Sequence, residues 1–185
     1  MNLIIEQIRD ACRQGSFLPA LALALTIPDV CGRSDSPGIQ EVGKRYSAWF
    51  DKWALPSFAD HTGFDADGQP NRAYFDGEMC YRLRCKFLHE NTQEIRPTPY
   101  GEESGTEYQY FFELVVNGTD SYGETWSSTM QDGEFPPRTR RVRLDIGSLC
   151  EALCSAAEMF LMECQDLDLR TRGLIYFDLA AIPKS

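Results

Sequence analysis

"LDIGSLCEALCSAAEMFLMEC", residues 144–164, is the stretch in which a predicted strand ends and a long apolar helix begins. At 3.6 residues per turn, one broad side of this helix is apolar. Asp145 or Ser148 is expected to cap its first turn, because both residue types are common N-caps. The polar edge that remains is narrow and consists of Glu151, Ser155 and Glu158. We therefore predict a largely buried helix, in the core or in an oligomer interface.

Four further helices are predicted where apolar residues recur at helical spacing. Their expected ranges are 2–14, 16–28, 39–55 and 74–90. Pro28 is expected to end the second helix, because proline interrupts the helical hydrogen bonds. Loops rich in turn-forming residues are expected at 32–38, 57–72 and 92–106.

Two strands are predicted in the second half of the chain, at 107–116 and 139–146, because both are rich in aromatic or β-branched residues. Asn117-Gly118 is expected to turn the chain after the first strand. The stretch 118–137 is predicted to be mostly loop, and a short strand is considered at 174–179. The expected fold is mainly α, a helical bundle of about five helices with a small antiparallel β-hairpin. We predict a single domain over 1–185, with the hairpin inserted at about 107–146.

Length and composition restrict the class of protein. A chain of 185 residues suits one domain, and a net charge of −10 argues against a general nucleic-acid coat protein or a membrane-surface binder. The most apolar run, 17–27, is too short to span a bilayer. The first ten residues lack a basic stretch followed by an apolar one, so we expect a cytoplasmic protein with no membrane partner. Seven cysteines are then expected to be reduced thiols.

Positive charge is concentrated in two short stretches. Residues 82–86 and 138–143 together hold seven of the 18 lysines and arginines. Basic residues clustered in an acidic background are typical of a phosphate-binding groove. The alternative is a pair of solvated faces whose cations are balanced by the many carboxylates.

The first of these stretches lies in "CYRLRCKFLHEN", residues 80–91, within the fourth predicted helix. Arg82, Lys86 and His89 share the polar side of this helix. Arg84 instead falls among the apolar residues, where a guanidinium is costly unless it is paired. It is therefore either a structural ion-pair residue or a group that meets an anion. In a regular helix Arg84 and His89 point about 140° apart; they converge only if the helix ends or loosens before His89, or across a dimer.

The spacing Arg84-x4-His89 resembles the R-x4–6-H motif of HEPN domains, which are helical proteins of toxin–antitoxin, abortive-infection and CRISPR-associated ribonucleases. Arg82-x6-His89 falls within the same range. Cys85 stands where that family often has a polar residue after the arginine. The stretches 25–32, 44–53 and 81–90 are also similar to a group of uncharacterised bacterial proteins.

The HEPN resemblance implies a metal-independent endoribonuclease of a bacterial defence or toxin system, active as a homodimer and needing no cofactor. It implies that His89 performs acid–base chemistry and that Arg84 stabilises the phosphate. RNA would be the partner, and its further phosphate contacts are expected at Arg82, Lys86, Arg138, Arg140, Arg141 and Arg143.

Two alternatives remain open at this stage. One is a non-catalytic helical module that binds a protein partner, with Arg84 as a structural ion-pair residue and the apolar helix at 144–164 as the docking element. The other is a zinc site, because cysteine and histidine at i, i+4 offer metal ligands on one helix face. Its four candidate ligands are Cys85, His89, Cys150 and Cys154. Both cysteine pairs also suit a core, so we predict no metal.

Overall fold

The structure is a computed structural model that describes residues 1–64, 70–71, 73–90, 108–125 and 138–164. Its α-helices are α1 (Asn2–Arg13), α2 (Phe17–Ala24), α3 (Ile27–Asp35), α4 (Val42–Trp53), α5 (Gly77–Cys85) and α6 (Ile146–Glu163). A 3-10 turn covers Leu55–Phe58, and a π-helical turn, Lys86–Glu90, continues α5. The strands are β1 (Asp60–Phe64), β2 (Pro70–Asn71), β3 (Tyr108–Val115), β4 (Ser121–Thr125) and β5 (Arg138–Asp145). The mainly helical character predicted from the sequence is confirmed.

Helix α6 lies at the centre of the helical body and packs against α1, α2, α3 and α4. Asp145 is its N-cap and accepts a hydrogen bond from the Ser148 amide at 2.9 Å. The wide apolar side of α6 is buried within this chain, through Leu149, Cys150, Leu153, Cys154, Ala156, Ala157 and Phe160. Of the two locations predicted for this side, the core is therefore the observed one.

The narrow polar edge of α6 is held by one arginine from α1. The Arg9 guanidinium donates to both Glu151 and Glu158, with shortest N–O distances of 2.6 Å to each carboxylate. The hydrogen bonds that Arg9 donates to Glu151 and Glu158 raise the pKa of its guanidinium, so the group stays charged. The hydrogen bond from Arg9 lowers the pKa of Glu151. Arg9 therefore fastens α1 along the outer side of the central helix.

Aromatic rings connect the helices to the sheet. Trp49 and Trp53 of α4 both meet the edge of Phe160 on α6, with ring centroids 6.2 and 5.5 Å away. A second set of neighbouring rings runs from α4 to β3 through Phe50, Phe58, Phe75 and Phe112. Edge-to-face aromatic pairs add to the free energy gained by burying their surface. These contacts make α4 the bridge between the central helix and the sheet.

The second predicted helix, 16–28, is two helices in the structure. The chain breaks between α2 and α3, and Pro28 lies in the first turn of α3. Proline is tolerated there because that N–H has no helical partner, so the prediction that Pro28 ends a helix was wrong. Residues Gly32–Asp35, predicted as loop, belong to α3. A Cβ atom at Gly32 would lie 3.0 Å from the carbonyl oxygen of Arg45, so glycine lets α3 approach α4 closely.

The predicted antiparallel hairpin was also wrong. Strand β5 lies between the other two strands of its sheet, parallel to β3 and antiparallel to β4. Strand β4 falls in the stretch predicted to be mostly loop. Asn117 does turn the chain after β3, with φ of 54°. Because β3 and β5 run in the same direction, they end at the same edge, where Val115 is the register partner of Asp145.

Asp145 makes that parallel arrangement favourable. Its carboxylate accepts the Gly118 amide at 2.9 Å, and its own amide donates to Asp120 Oδ1 at 2.7 Å. Asp120 Oδ2 accepts the Tyr74 hydroxyl at 2.7 Å. In an antiparallel hairpin the end of β5 would lie away from the turn that follows β3, and these bonds would not form. The turn after β3, the end of β5 and the segment before α5 are thereby joined.

Other predicted elements differ only in detail. Helix α5 begins at Gly77, later than the predicted residue 74, because Asp76 caps it by accepting the Met79 amide at 2.9 Å. Strands β1 and β2 lie within the predicted loop 57–72. The predicted loop at 92–106 and the short strand considered at 174–179 lie outside the described residues. Among the helices that the structure describes, none combines the length and apolar character needed to cross a membrane.

We expect Asp145→Ala to lower the free energy of unfolding by about 2–4 kcal/mol, because it removes a helix cap and leaves the Gly118 amide without its acceptor. The matched control is Asp76→Ala, which removes the cap of α5 and is expected to cost about 1 kcal/mol. Urea denaturation monitored by tryptophan fluorescence measures both. Equal losses in the two variants would contradict the joining role of Asp145.

The stability difference between the wild type and Asp145→Asn should depend on pH. Burial raises the pKa of Asp145, and the hydrogen bonds from the amides of Gly118 and Ser148 lower it. Together the hydrogen bonds outweigh burial, so the pKa lies below its ordinary value. A lowered carboxyl pKa stabilises the fold above the unfolded pKa of about 3.9, and this stabilisation is lost as pH falls through the folded pKa. Urea denaturation from pH 7 to pH 2 should show a difference that is constant above about pH 5 and disappears at the acid end. A difference independent of pH would contradict the assignment.

Candidate functional site

The candidate site lies where the end of α5 meets the start of α3. Arg84 Nη2 lies 2.7 Å from Asp29 Oδ2, with 20% and 23% of the two side chains exposed. Asp29 stands in the first turn of α3, where a carboxylate also suits the partial positive charge of the helix terminus. The guanidinium that the sequence places on the apolar side of α5 is therefore balanced by an acid from another helix.

Arg84 remains charged in this position. Burial lowers its pKa, while the negative charge of Asp29 and the neighbouring Cys85 raise it, and the net pKa lies above the ordinary value. A partly buried ion pair of this kind is screened less by solvent than a fully exposed one. The pair is consequently a fixed dipole at the surface of the helical body, with both partners still reached by solvent.

Tyr81 and Cys85 border the Arg84–Asp29 pair. The guanidinium carbon of Arg84 lies 6.0 Å from the centre of the Tyr81 ring, and Arg84 Nη1 lies 4.0 Å from Cys85 Sγ. Tyr81 packs at 5.4 Å on Tyr46, and a Cβ atom at Gly43 would come within 2.8 Å of its ring. The absence of a side chain at Gly43 therefore allows Tyr81 to lie beside the arginine.

The backbone changes form between the two residues of the R-x4–6-H motif. Helix α5 ends at Cys85, and Lys86–Glu90 is a π-helical turn with i to i+5 hydrogen bonds. A wider turn rotates each residue by less than the roughly 100° of an α-helix. The backbone position of residue 89 therefore lies closer to the side of Arg84 than the 140° expected for a regular helix. The side chain of His89 lies outside the described part of the structure.

The other basic residues predicted near His89 are placed as follows. Arg82 donates to Glu78 at 2.8 Å, one helical turn away, and is one quarter exposed. Lys86 is the first residue of the π-helical turn. Arg82 and Arg84 thus both face carboxylates, but Arg82 binds one on its own helix and Arg84 binds one from α3.

The four arginines predicted in 138–143 do not share one face. Successive residues of a strand point to opposite sides, and Val142 and Leu144 of β5 are buried. Arg141 and Arg143 are exposed on the other side, and Arg143 pairs with Glu113 at 3.0 Å. Arg138 and Arg140 occupy strand positions on the same side as Val142, and their side chains lie outside the described part.

The described residues do not assemble the considered zinc ligands. Cys150 and Cys154 lie in the core beside Cys12 of α1, and Cys85 lies beside Tyr81 and Arg84. Within the described ranges, no group of three or more histidine, cysteine or acidic residues is placed to hold a metal. Burial raises the pKa of Cys80 and of Cys154 to about 12, so both thiols stay protonated at neutral pH. None of the seven cysteines forms a disulfide.

Asp29 and Tyr81 are the two members of the site that sequence reasoning did not select. The sequence predicted that Arg84 either forms a structural ion pair or meets an anion. The chain has 28 acidic residues, and nothing local distinguished Asp29 as the partner. On a helical wheel Tyr81 falls on the apolar side of this helix, so nothing in the sequence marked it as a site residue. Both assignments depend on which helices pack together, and this is a property of the tertiary structure.

No protein-family model, curated protein or solved structure matches this chain. The comparisons therefore give no support to the HEPN resemblance. The site is described by its own geometry: a charged arginine, its carboxylate partner, an adjoining tyrosine and a widened helical turn.

A double-mutant cycle should separate the Arg84–Asp29 pair from an ordinary surface pair. We expect Arg84→Gln and Asp29→Asn to show a coupling free energy of about 1–3 kcal/mol, because the pair is four-fifths buried and joins two helices. The matched cycle on Arg82 and Glu78 should give about 0.3–0.5 kcal/mol, because these residues are an i, i+4 pair within one helix. Urea denaturation of the six variants measures both values. The same coupling in both cycles would show that Asp29 does not hold Arg84.

Proposed function

We propose that this chain is a HEPN-like, metal-independent endoribonuclease, cytoplasmic and active as a homodimer in a bacterial defence or toxin system. The observation that supports the proposal is the π-helical turn at Lys86–Glu90. It lies within the R-x4–6-H motif and reduces the angular separation that a regular helix would impose on Arg84 and His89. Single π-helical turns inside α-helices occur frequently at functional sites.

In the proposed reaction the RNA 2′-hydroxyl attacks the adjacent phosphorus and the bond to the 5′-oxygen breaks. The 2′-proton leaves to a base and the departing 5′-oxygen receives a proton, so the products are a 2′,3′-cyclic phosphate and a 5′-hydroxyl. His89 performs this acid–base chemistry, with the second copy supplied by the other subunit. Arg84 binds the phosphate oxygens, and its fixed charge stabilises the negative charge that develops in the transition state.

Asp29 has a positioning role in this proposal. Its carboxylate holds the Arg84 guanidinium at 2.7 Å, so the arginine needs little reorganisation when a phosphate arrives. Preorganised charge of this kind contributes more to catalysis than charge that must first be ordered.

The Arg84–Asp29 pair favours a second candidate, a non-catalytic helical module that binds a protein partner. In that case Arg84 only joins α5 to α3, and His89 has no chemical role. The docking element suggested by the sequence was the apolar side of α6, which the structure buries within the chain. This candidate would consequently need another surface for its partner.

Cleavage of a labelled single-stranded RNA in EDTA tests the first candidate. We expect His89→Ala and Arg84→Gln each to lower the cleavage rate at least about 100-fold, because each removes a group used in the transition state. Arg13→Gln is the control, since it removes an exposed arginine on α1 that lies outside the motif, and it should retain most of the activity. The 2′,3′-cyclic phosphate is identified by mass spectrometry.

Equal cleavage by the wild type and all three variants would overturn the ribonuclease proposal and leave the binding module. Thermal unfolding accompanies each assay, because Arg84→Gln also breaks an ion pair. Arg84→Lys retains the positive charge without the planar fork, and it should recover part of the rate only if the charge is used on phosphate.

A further inference from the structure

The three-stranded sheet has one face turned away from the core, which we call the outer face. Along β5 the buried residues Val142 and Leu144 alternate with the exposed Arg141 and Arg143. The strand register then places Phe111, Glu113, Ser121 and Gly123 beside Arg141 and Arg143 on the outer face. These residues are exposed, so among the described residues this face is open.

The middle of the outer face is a row of three residues. Phe111 of β3 and Gly123 of β4 are the register partners of Arg141 on its two sides. Phe111 is 36% exposed, and a Cβ atom at Gly123 would have no atom within 4 Å. Neighbouring strands are about 4.8 Å apart. An aromatic ring, a guanidinium and a position without a side chain therefore lie side by side in this row.

Of the two arginines on the outer face, one is paired with a carboxylate of the described residues and the other is not. Glu113 is paired with Arg143 at 3.0 Å in the row next to Phe111 and Arg141. Arg141 has no carboxylate partner among the described residues, and its two register partners are a phenylalanine and a glycine. A guanidinium beside an exposed aromatic ring is a local arrangement that suits an anionic ligand with a planar group.

We propose that the outer face binds single-stranded RNA. A base stacks on Phe111, the vacant position above Gly123 gives room for its neighbour, and Arg141 contacts a phosphate. Unpaired bases can stack on aromatic side chains, whereas duplex bases are stacked on one another and are not available. The inference extends the proposed ribonuclease function and rests on it for the identity of the strand as RNA. Binding itself is measured without cleavage.

The test is fluorescence anisotropy of the full chain with a labelled 12-residue 2′-O-methyl RNA, which cannot undergo 2′-hydroxyl attack. We expect Phe111→Ala to weaken binding roughly 5- to 150-fold, because one stacked base is lost. Phe111→Tyr keeps an aromatic ring and should bind like the wild type. Arg141→Gln should reduce the slope of log affinity against log salt concentration by about 0.7, the value for one phosphate contact to a single strand.

The matched control is Arg13→Gln, an exposed arginine on α1 whose removal changes the net charge equally. It should leave the salt slope unchanged. An RNA duplex of the same length should bind more weakly than the single strand. The same affinity and slope for wild type, Phe111→Ala and Arg141→Gln would overturn the proposal. So would a change of oligomeric state in Phe111→Ala with unaltered RNA binding, because the outer face would then be a protein interface.

The two proposals can be rejected independently, because RNA binding and RNA cleavage are measured in separate assays. If the outer-face variants lose binding while the wild type does not cleave RNA, the outer-face proposal stands and the ribonuclease proposal falls. If the wild type cleaves RNA and the outer-face variants bind RNA normally, the ribonuclease proposal stands and the outer-face proposal falls.

Discussion

Asp145 joins two parts of the chain that are far apart in sequence, the turn after β3 and the start of α6. It accepts amides from the turn after β3 and from the first turn of α6, and its own amide donates to Asp120. It is the one buried polar or charged residue among those that the structure describes. A buried carboxylate is tolerated only when hydrogen bonds satisfy it. The junction between β5 and α6 therefore fixes the position of the sheet relative to the helical body.

The geometry of the candidate site follows from the position of α6. Trp49 and Trp53 of α4 pack against Phe160 of the central helix. Helix α4 in turn contacts both α3 and α5, and this brings Asp29 to Arg84. The two helices that supply the ion pair are thus placed by the core and not by the pair itself. The outer face of the sheet is a separate surface, held to the same body through Asp145.

The helical part of the fold could be predicted because the apolar repeat of each helix is a local property. The position of Arg84 on the apolar side of α5 could also be predicted, since the helical wheel alone places it among apolar residues. Its partner could not, because Asp29 comes from a helix more than 50 residues earlier. The sheet was misjudged for the same reason. Asn117 gave a correct turn signal, but the bond from Gly118 to Asp145 that favours a parallel arrangement is not local.

Two other differences between the predicted and the observed fold involve residues whose structural effect depends on where they lie in an element. Pro28 ends a helix when it lies inside one, but it starts α3 because it falls in the first turn. Strand β4 has a glycine at its centre and little β-branched character, so its sequence resembles a loop. It forms a strand because β5 offers a free edge.

Native-state hydrogen exchange at the Gly118 amide tests the joining role of Asp145 most directly. If the carboxylate fixes the turn after β3 to α6, this amide should exchange only on global unfolding, with the same denaturant dependence as the Leu153 amide in the central helix. Exchange at the rate of an exposed loop amide, independent of denaturant, would contradict the account. It would show that the sheet is not fastened to the helical body through Asp145.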